Sequence, residues 1–225
     1  MHKDLLTLRD LNYGELEELF ELTARLKRER GRSDFRPLAG KSIGLIFAKS
    51  STRTRVSFEV GVHELGGAPL YLDQGRMQIG RGETIADTAQ VLSRYLHGIV
   101  IRTFGHADVQ ELARIATIPV INALTDEYHP CQILADLFTI LEYSGTLKVK
   151  TVFVGDGSSN IANSLMLASK LTGMQLVIAA PRDFAPNPAI LKECGATATW
   201  CEDPDQAVKN ADYIYTDVWV SMGFE

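Results

Sequence analysis

Short apolar runs alternate with amphipathic stretches along nearly the whole chain. Leu16, Leu19, Phe20, Leu22 and Leu26 recur at helical spacing, so the pattern predicts a helix from 16 to about 30. Asn12-Tyr13-Gly14-Glu15, just before it, reads as a capping box. From there the chain reads as strand 42–48, helix 53–65, strand 69–72, a polar loop at 73–82 and helix 83–95. Strand 98–102, helix 107–116, strand 119–123 and helix 130–143 follow. After "SGTLKVK" at 144–150 the alternation restarts, with strands at 151–155, 175–180, 196–200 and 212–216. Helices at 161–172, 187–193 and 204–210 lie between them. Apolar strands alternating with helices imply parallel sheets covered on both faces. The expected fold is α/β, with two doubly wound parallel-sheet domains over 1–145 and 146–225. The second, about 80 residues, is short for such a unit.

Composition narrows the partners. With 225 residues there is enough chain for a sizeable core. The formal net charge of −5 gives no bulk basic field for nucleic acid or an anionic membrane. Three cysteines, Cys131, Cys194 and Cys201, are odd in number and lack C-x-x-C spacing, which disfavours a disulfide framework or a structural zinc site. The first residues are too charged for a signal peptide, and no apolar run approaches the ~20 residues of a membrane helix. A soluble intracellular protein, taken as cytoplasmic, is the expectation.

The unusual polar residues fall after predicted strands, where ligands collect in open α/β sheets. "SSTRTR" at 50–55 follows the first strand and opens a helix. Free N–H groups and the helix dipole favour an anion there. Ser51, Thr52 and Thr54 can add hydroxyls, and either Arg53 or Arg55 can grip an oxyanion with two parallel hydrogen bonds. A capped helix start with solvated arginines is the plainer alternative. Arg102 ends the strand "GIVIR", either as the point where a strand reaches water or as an anion ligand. Pro130 suits the first helical position, leaving His129 near the N-cap. His129 and Gln132 can each be site residues or ordinary helix-start residues, whereas Cys131 reads as a small apolar group. Arg76, Gln78 and Arg81 sit in a glycine-rich loop that suits an anion or a plain surface turn equally. "GDGSSN" at 155–160 resembles a dinucleotide fingerprint, but Asn160 stands in place of the third glycine and no acidic residue closes the next strand. Asp217, after the last strand, is either a helix cap or a ligand to an amine. The natural place for two substrates is the cleft between the domains. There is no metal cluster, nucleophile elbow or P-loop in the sequence, which leaves group transfer by positioning and electrostatics.

"FAKSSTRTRVSFEVGVHELGG", "GRGETIADTAQVLSRY", "IVIRTFGH", "HPCQILADL" and "DVWVSMG" occur in that order, and across the whole chain the sequence resembles the ornithine carbamoyltransferases. The S-T-R-T-R and H-P-x-Q motifs are those of the carbamoyltransferase superfamily, and "SMG" points to ornithine as acceptor. The resemblance implies a carbamoyl-phosphate domain, an amino-acid domain and a homotrimer in arginine biosynthesis, with no cofactor or metal. By motif, Ser51, Thr52, Arg53, Thr54 and Gln78 would contact carbamoyl phosphate. Arg102, His129 and Thr54 would hold its carbonyl oxygen, and Gln132 its amide. Asn160, Asp217, Ser221 and Met222 would bind ornithine. Three features depart from the family pattern: Cys131 within H-P-x-Q, Ser159 in place of the first of two asparagines, and a chain that stops just after "SMG". The last implies a truncated second domain with an exposed sheet edge. A non-catalytic fragment that keeps only oxyanion binding is the alternative reading.

Overall fold

The computed structural model describes residues 3–32, 34–48, 51–77 and 82–218. They form two compact units. One takes residues up to Leu6 with Gly14–Asp126, and the other takes Thr7–Tyr13 with the residues from Glu127 onward.

The first unit holds β1 (Ser42–Phe47), β2 (Ala68–Asp73), β3 (Gly98–Arg102) and β4 (Val120–Leu124), with α1 (Tyr13–Glu29), α2 (Thr52–Glu64), α3 (Ile85–Tyr95) and α4 (His106–Ile115). Its sheet is parallel throughout, in the order β2-β1-β3-β4. Alternation along the strands divides the core. Ile46, Ile99, Ile101 and Val120 face Ala89 of α3 and Val109, Leu112 and Ala113 of α4. Leu45, Phe47, Val100 and Ala123 face the other way, with Phe58 of α2 against them. Period-two burial on both faces is what near-continuous apolar strands require. Leu5 extends the sheet beyond β4 through a parallel bridge to Ile121.

The second unit holds α5 (Pro130–Ser144), β5 (Lys150–Val154), α6 (Asn160–Thr172), β6 (Gln175–Ala179), α7 (Pro188–Cys194), β7 (Ala198–Cys201), α8 (Pro204–Ala207) and β8 (Tyr213–Thr216). Its sheet is also parallel, in the order β7-β6-β5-β8. Val152, Val154, Val177 and Ala179 pack with Ala207 and Val208 at α8. From Ile161 to Ser169, α6 is buried on every side, with the polar Asn163, Ser164 and Ser169 among the buried residues. Gly145 and Gly173 end α5 and α6 in the left-handed conformation, at φ 67° and 70°. α5 packs on α6 within this unit.

Every predicted strand and helix is present, and most differences lie at the ends. α1 begins at Tyr13, three residues before the periodic run, which puts Asn12 at the N-cap position and Glu15 in the first turn. β7 starts at Ala198 rather than 196 because Gly195–Thr197 form a 3-10 turn. α8 stops at Ala207 rather than 210, where the chain turns and Asn210 adopts φ 56°. Among the described residues β8 is an edge strand, and Ile214 on it is 60% exposed.

Candidate active site

Strand order locates the chemistry. In the first sheet the chain winds outward in both directions from β1 and β3, so the switch point lies at their carboxyl ends. Phe47 and Arg102 are register partners there. Just beyond, Ser51 caps α2 by accepting a hydrogen bond from the Thr54 N–H at 3.3 Å. The N–H groups of Thr52 and Arg53 have no acceptor inside the helix, as at any helix start.

Arg102 reaches this helix start from below. It is 5% exposed, and its Nη1 donates to Thr54 Oγ1 at 3.1 Å. The Thr54 oxygen accepts that bond, so its own proton remains free to donate elsewhere. Arg102 Nε is buried and has no hydrogen-bond partner among the described residues. Burial, and then the charge of Arg53, lower the Arg102 pKa below its ordinary value. A buried guanidinium with an unused donor, repelled by a second guanidinium, calls for an anion. The structure also separates the two candidate arginines. Arg55 is committed elsewhere, with Nε 2.9 Å from Glu59 and its guanidinium stacked 3.7 Å over the Tyr71 ring. Arg53 is exposed and makes no ion pair among the described residues.

The second unit has its own switch point, between β5 and β8, where Val154 and Thr216 are partners. The loop 155–160 leaves one strand and Asp217 leaves the other. Ser159 caps α6 by accepting from Ala162 N–H at 3.2 Å, which places Asn160 in the first helical position. Asp217 is exposed, and its carboxylate accepts from the Val218 N–H at 2.8 Å. Gly157 is explained by packing, because a Cβ there would lie 2.7 Å from the Phe184 carbonyl oxygen. The loop's likeness to a dinucleotide fingerprint therefore has a steric cause.

His129 is the N-cap residue of α5, but its ring makes no capping hydrogen bond. Its backbone N–H donates to Ser164 Oγ at 2.9 Å, and that hydroxyl donates to the Asn160 carbonyl at 2.7 Å. Ser164 thus ties together two residues singled out separately in the sequence. Gln132 lies one turn into α5, with its Nε2 donating to Asp136 Oδ1 at 3.0 Å. Burial raises the Asp136 pKa, against the opposing effects of Gln132 and Tyr215. Burial also raises the Tyr215 pKa, with the charges of Asp136 and Asp217 adding to it. Cys131 lies in a half-buried residue whose thiol is enclosed, and burial pushes that thiol up to about 12. It is thus a neutral packing group at ordinary pH.

Gln78, Ser221 and Met222 lie outside the described residues. Ser164, Asp136 and Tyr215 were not singled out in the sequence. Only the Gln132–Asp136 spacing of four, which places both on one helix face, could have flagged any of them. No three His, Cys, Asp or Glu side chains come together as a metal site among the described residues.

Each parallel α/β unit thus carries polar side chains at a strand end of its switch point: an arginine-lined helix start in the first and an acid-bearing loop in the second, the layout of a ligand-binding α/β protein. Two family models match the chain. Residues 3–142 match the aspartate/ornithine carbamoyltransferase, carbamoyl-P binding domain, and residues 147–225 match the Asp/Orn binding domain of the same family. An ornithine carbamoyltransferase of Bacillus thuringiensis subsp. konkukian is 52% identical over 231 residues, covering 99% of this chain and 72% of the relative. One of Methanocorpusculum labreanum is 50% identical, covering 100% of this chain and 75% of its own length. The structure of the Pyrococcus furiosus ornithine carbamoyltransferase superposes with a TM-score of 0.93 at 48% identity, covering 99% of this chain and 74% of that one. The chain belongs to the aspartate/ornithine carbamoyltransferase family.

Proposed function

We propose that the protein transfers the carbamoyl group of carbamoyl phosphate to the δ-amine of L-ornithine, giving L-citrulline and phosphate. One observation carries the reading. Arg102 is buried at the first switch point, bonded to Thr54, with one donor unused and Arg53 beside it. Carbamoyl phosphate offers both a dianionic group and a carbonyl oxygen to such donors.

The α2 start, with Ser51, Thr52, Arg53 and Thr54, binds the phosphate, and Gln78 adds a contact to the same substrate. Arg102, His129 and the Thr54 hydroxyl donate to the carbonyl oxygen, and Gln132 accepts from the carbamoyl NH2. Asn160, Asp217, Ser221 and Met222 hold ornithine. The neutral δ-amine attacks the carbamoyl carbon, and the carbonyl oxygen takes up negative charge in a tetrahedral intermediate. Donors fixed before reaction stabilise that charge without reorganising. As the C–O bond to phosphate breaks, the electron pair leaves on the phosphate, where the helix N-terminus and Arg53 neutralise it. The amine gives up its proton to the departing phosphate, and citrulline is released.

The functional division follows the family models, with carbamoyl phosphate served by 1–145 and ornithine by 146–225. Arginine biosynthesis in the cytoplasm is the setting proposed for this reaction, as the family resemblance implies. A homotrimer fits the exposed Val56 and Val60, neighbours on one face of α2. Light scattering of the purified chain tests that assembly, and a monomer at micromolar concentration would refute it.

The catalytic assignment is tested with Arg102→Leu. Loss of one oxyanion donor is expected to cost ~10²–10³ in turnover, with inorganic phosphate binding reduced far less. Turnover unchanged in the variant would remove Arg102 from the mechanism.

A further inference from the structure

Resting on that reading, one question is left open: what makes the site select a carbamoyl group rather than any acyl phosphate? A carbamoyl group differs from an acetyl group of the same shape by an NH2 in place of a methyl. Recognition of that NH2 needs a hydrogen-bond acceptor with a fixed direction. A glutamine amide has an acceptor and a donor end of nearly equal size, and a half-turn about its last bond exchanges them. Gln132 alone therefore recognises either an acceptor or a donor.

Asp136 breaks that ambiguity. It lies one turn along α5, and its Oδ1 receives the Gln132 Nε2–H at 3.0 Å. An ionised carboxylate only accepts. The reversed amide would set Oε1 against Oδ1 and leave two acceptors facing each other in a partly buried place. The other carboxylate oxygen, Oδ2, is buried, and the Tyr215 hydroxyl lies close enough to lower the Asp136 pKa by hydrogen bonding, so the carboxylate that receives the Gln132 NH2 is held in place from two sides. Around the pair, Ile133, Leu134, Leu137 and Ile140 bury the inner face of α5, which fixes the helix turn carrying both side chains. Tyr215, from β8, stands near enough for the Asp136 charge to hold its hydroxyl in the protonated form.

We propose that Asp136 is a positioning residue that orients the Gln132 amide. With its NH2 held by the carboxylate, the amide presents Oε1 as an acceptor, and the site selects a carbamoyl NH2 over an acyl methyl. Selectivity of this kind comes from a polar group left unpaired when the wrong substrate binds.

The test compares binding of carbamoyl phosphate with that of acetyl phosphate, its methyl counterpart, in the full chain. The wild-type protein is expected to prefer carbamoyl phosphate by roughly 5- to 20-fold, the worth of one well-made hydrogen bond. Asp136→Asn keeps the shape but lets the Gln132 amide face either way. It should weaken carbamoyl phosphate about twofold, the cost of selecting one of two equally open amide orientations, and leave acetyl phosphate unchanged. Asp136→Lys, which can only donate to the amide and so turns Oε1 away from the substrate, should erase most of the preference. Gln132→Leu should erase the preference altogether, and adding Asp136→Asn to it should change nothing further. Asp136→Ser carries the same readout if the asparagine variant fails to fold. Equal weakening of both ligands would mark a merely structural role and overturn the proposal, as would an unchanged preference. Wild-type protein that binds both ligands equally would overturn it while leaving the oxyanion site standing. Binding of neither ligand would overturn the functional reading itself, and this proposal with it.

Discussion

Arg9 and Glu193 show what one pair of side chains does for the second unit. Arg9 belongs to the segment Thr7–Tyr13 that packs there, and its guanidinium meets the Glu193 carboxylate in a fork at 2.7–3.2 Å. Lys170 adds a contact at 3.0 Å. The Arg9 hydrogen bonds, against some burial and with Lys170 helping, pull the Glu193 pKa from its ordinary 4.5 down to about 2. A carboxylate whose pKa is lowered by folding contributes stability that is fully present above its unfolded pKa and lost as pH falls through the folded one. Both side chains are partly exposed, so solvent screening keeps the contribution to ~1 kcal/mol or less. Glu193→Gln should therefore destabilise the protein slightly at pH 6, and the difference from wild type should shrink between pH 4.5 and 2. Chemical denaturation at several pH values reads this. A difference that grows toward pH 2 would contradict the assignment. At the same scale the sequence left Arg53 and Arg55 equivalent. The i, i+4 spacing to Glu59 was visible for Arg55, but its stacking on Tyr71 of β2 was not, because partners across the fold are not encoded in local spacing.

At the level of elements, the alternation of apolar runs with amphipathic stretches was enough to place the eight strands and eight α-helices found among the described residues. A short near-continuous apolar run is the signature of a strand buried on both faces, and helical spacing is the signature of a covering helix. Strand order was not legible, because a parallel sheet can be wound from the same elements in several orders. That order decides which loops meet at a switch point, and hence why Arg102 lies beside the α2 start. Loop glycines were legible only as residues. Gly157 was read as part of a possible nucleotide loop, whereas its backbone lies against the Phe184 carbonyl oxygen and the Pro186 nitrogen. Gly157→Ala should cost ~1–3 kcal/mol through overpacking, measured by denaturant unfolding. An alanine variant as stable as the wild type would show that the loop has room to shift.

For the whole molecule, the division of labour follows from two sheets with two switch points. Under the proposed function, the first offers hydroxyls, helix N–H groups and guanidiniums to an anion, and the second offers an amide and a carboxylate to an amino acid. These residues were legible in the sequence as motifs, and the family resemblance gave them roles. What geometry added was their partners: Thr54 for Arg102, Ser164 for His129 and Asn160, and Asp136 for Gln132. The resemblance reaches 99% of this chain but 72% of a typical relative's length, so activity must be measured on the 225-residue chain itself. The most direct measurement supplies carbon-labelled carbamoyl phosphate with L-ornithine and follows the label by mass spectrometry. The account predicts labelled citrulline and phosphate in equal amounts, and no labelled product when L-aspartate replaces ornithine. Carbamoyl phosphate that binds but yields no citrulline would contradict it and leave an oxyanion-binding protein without transferase activity.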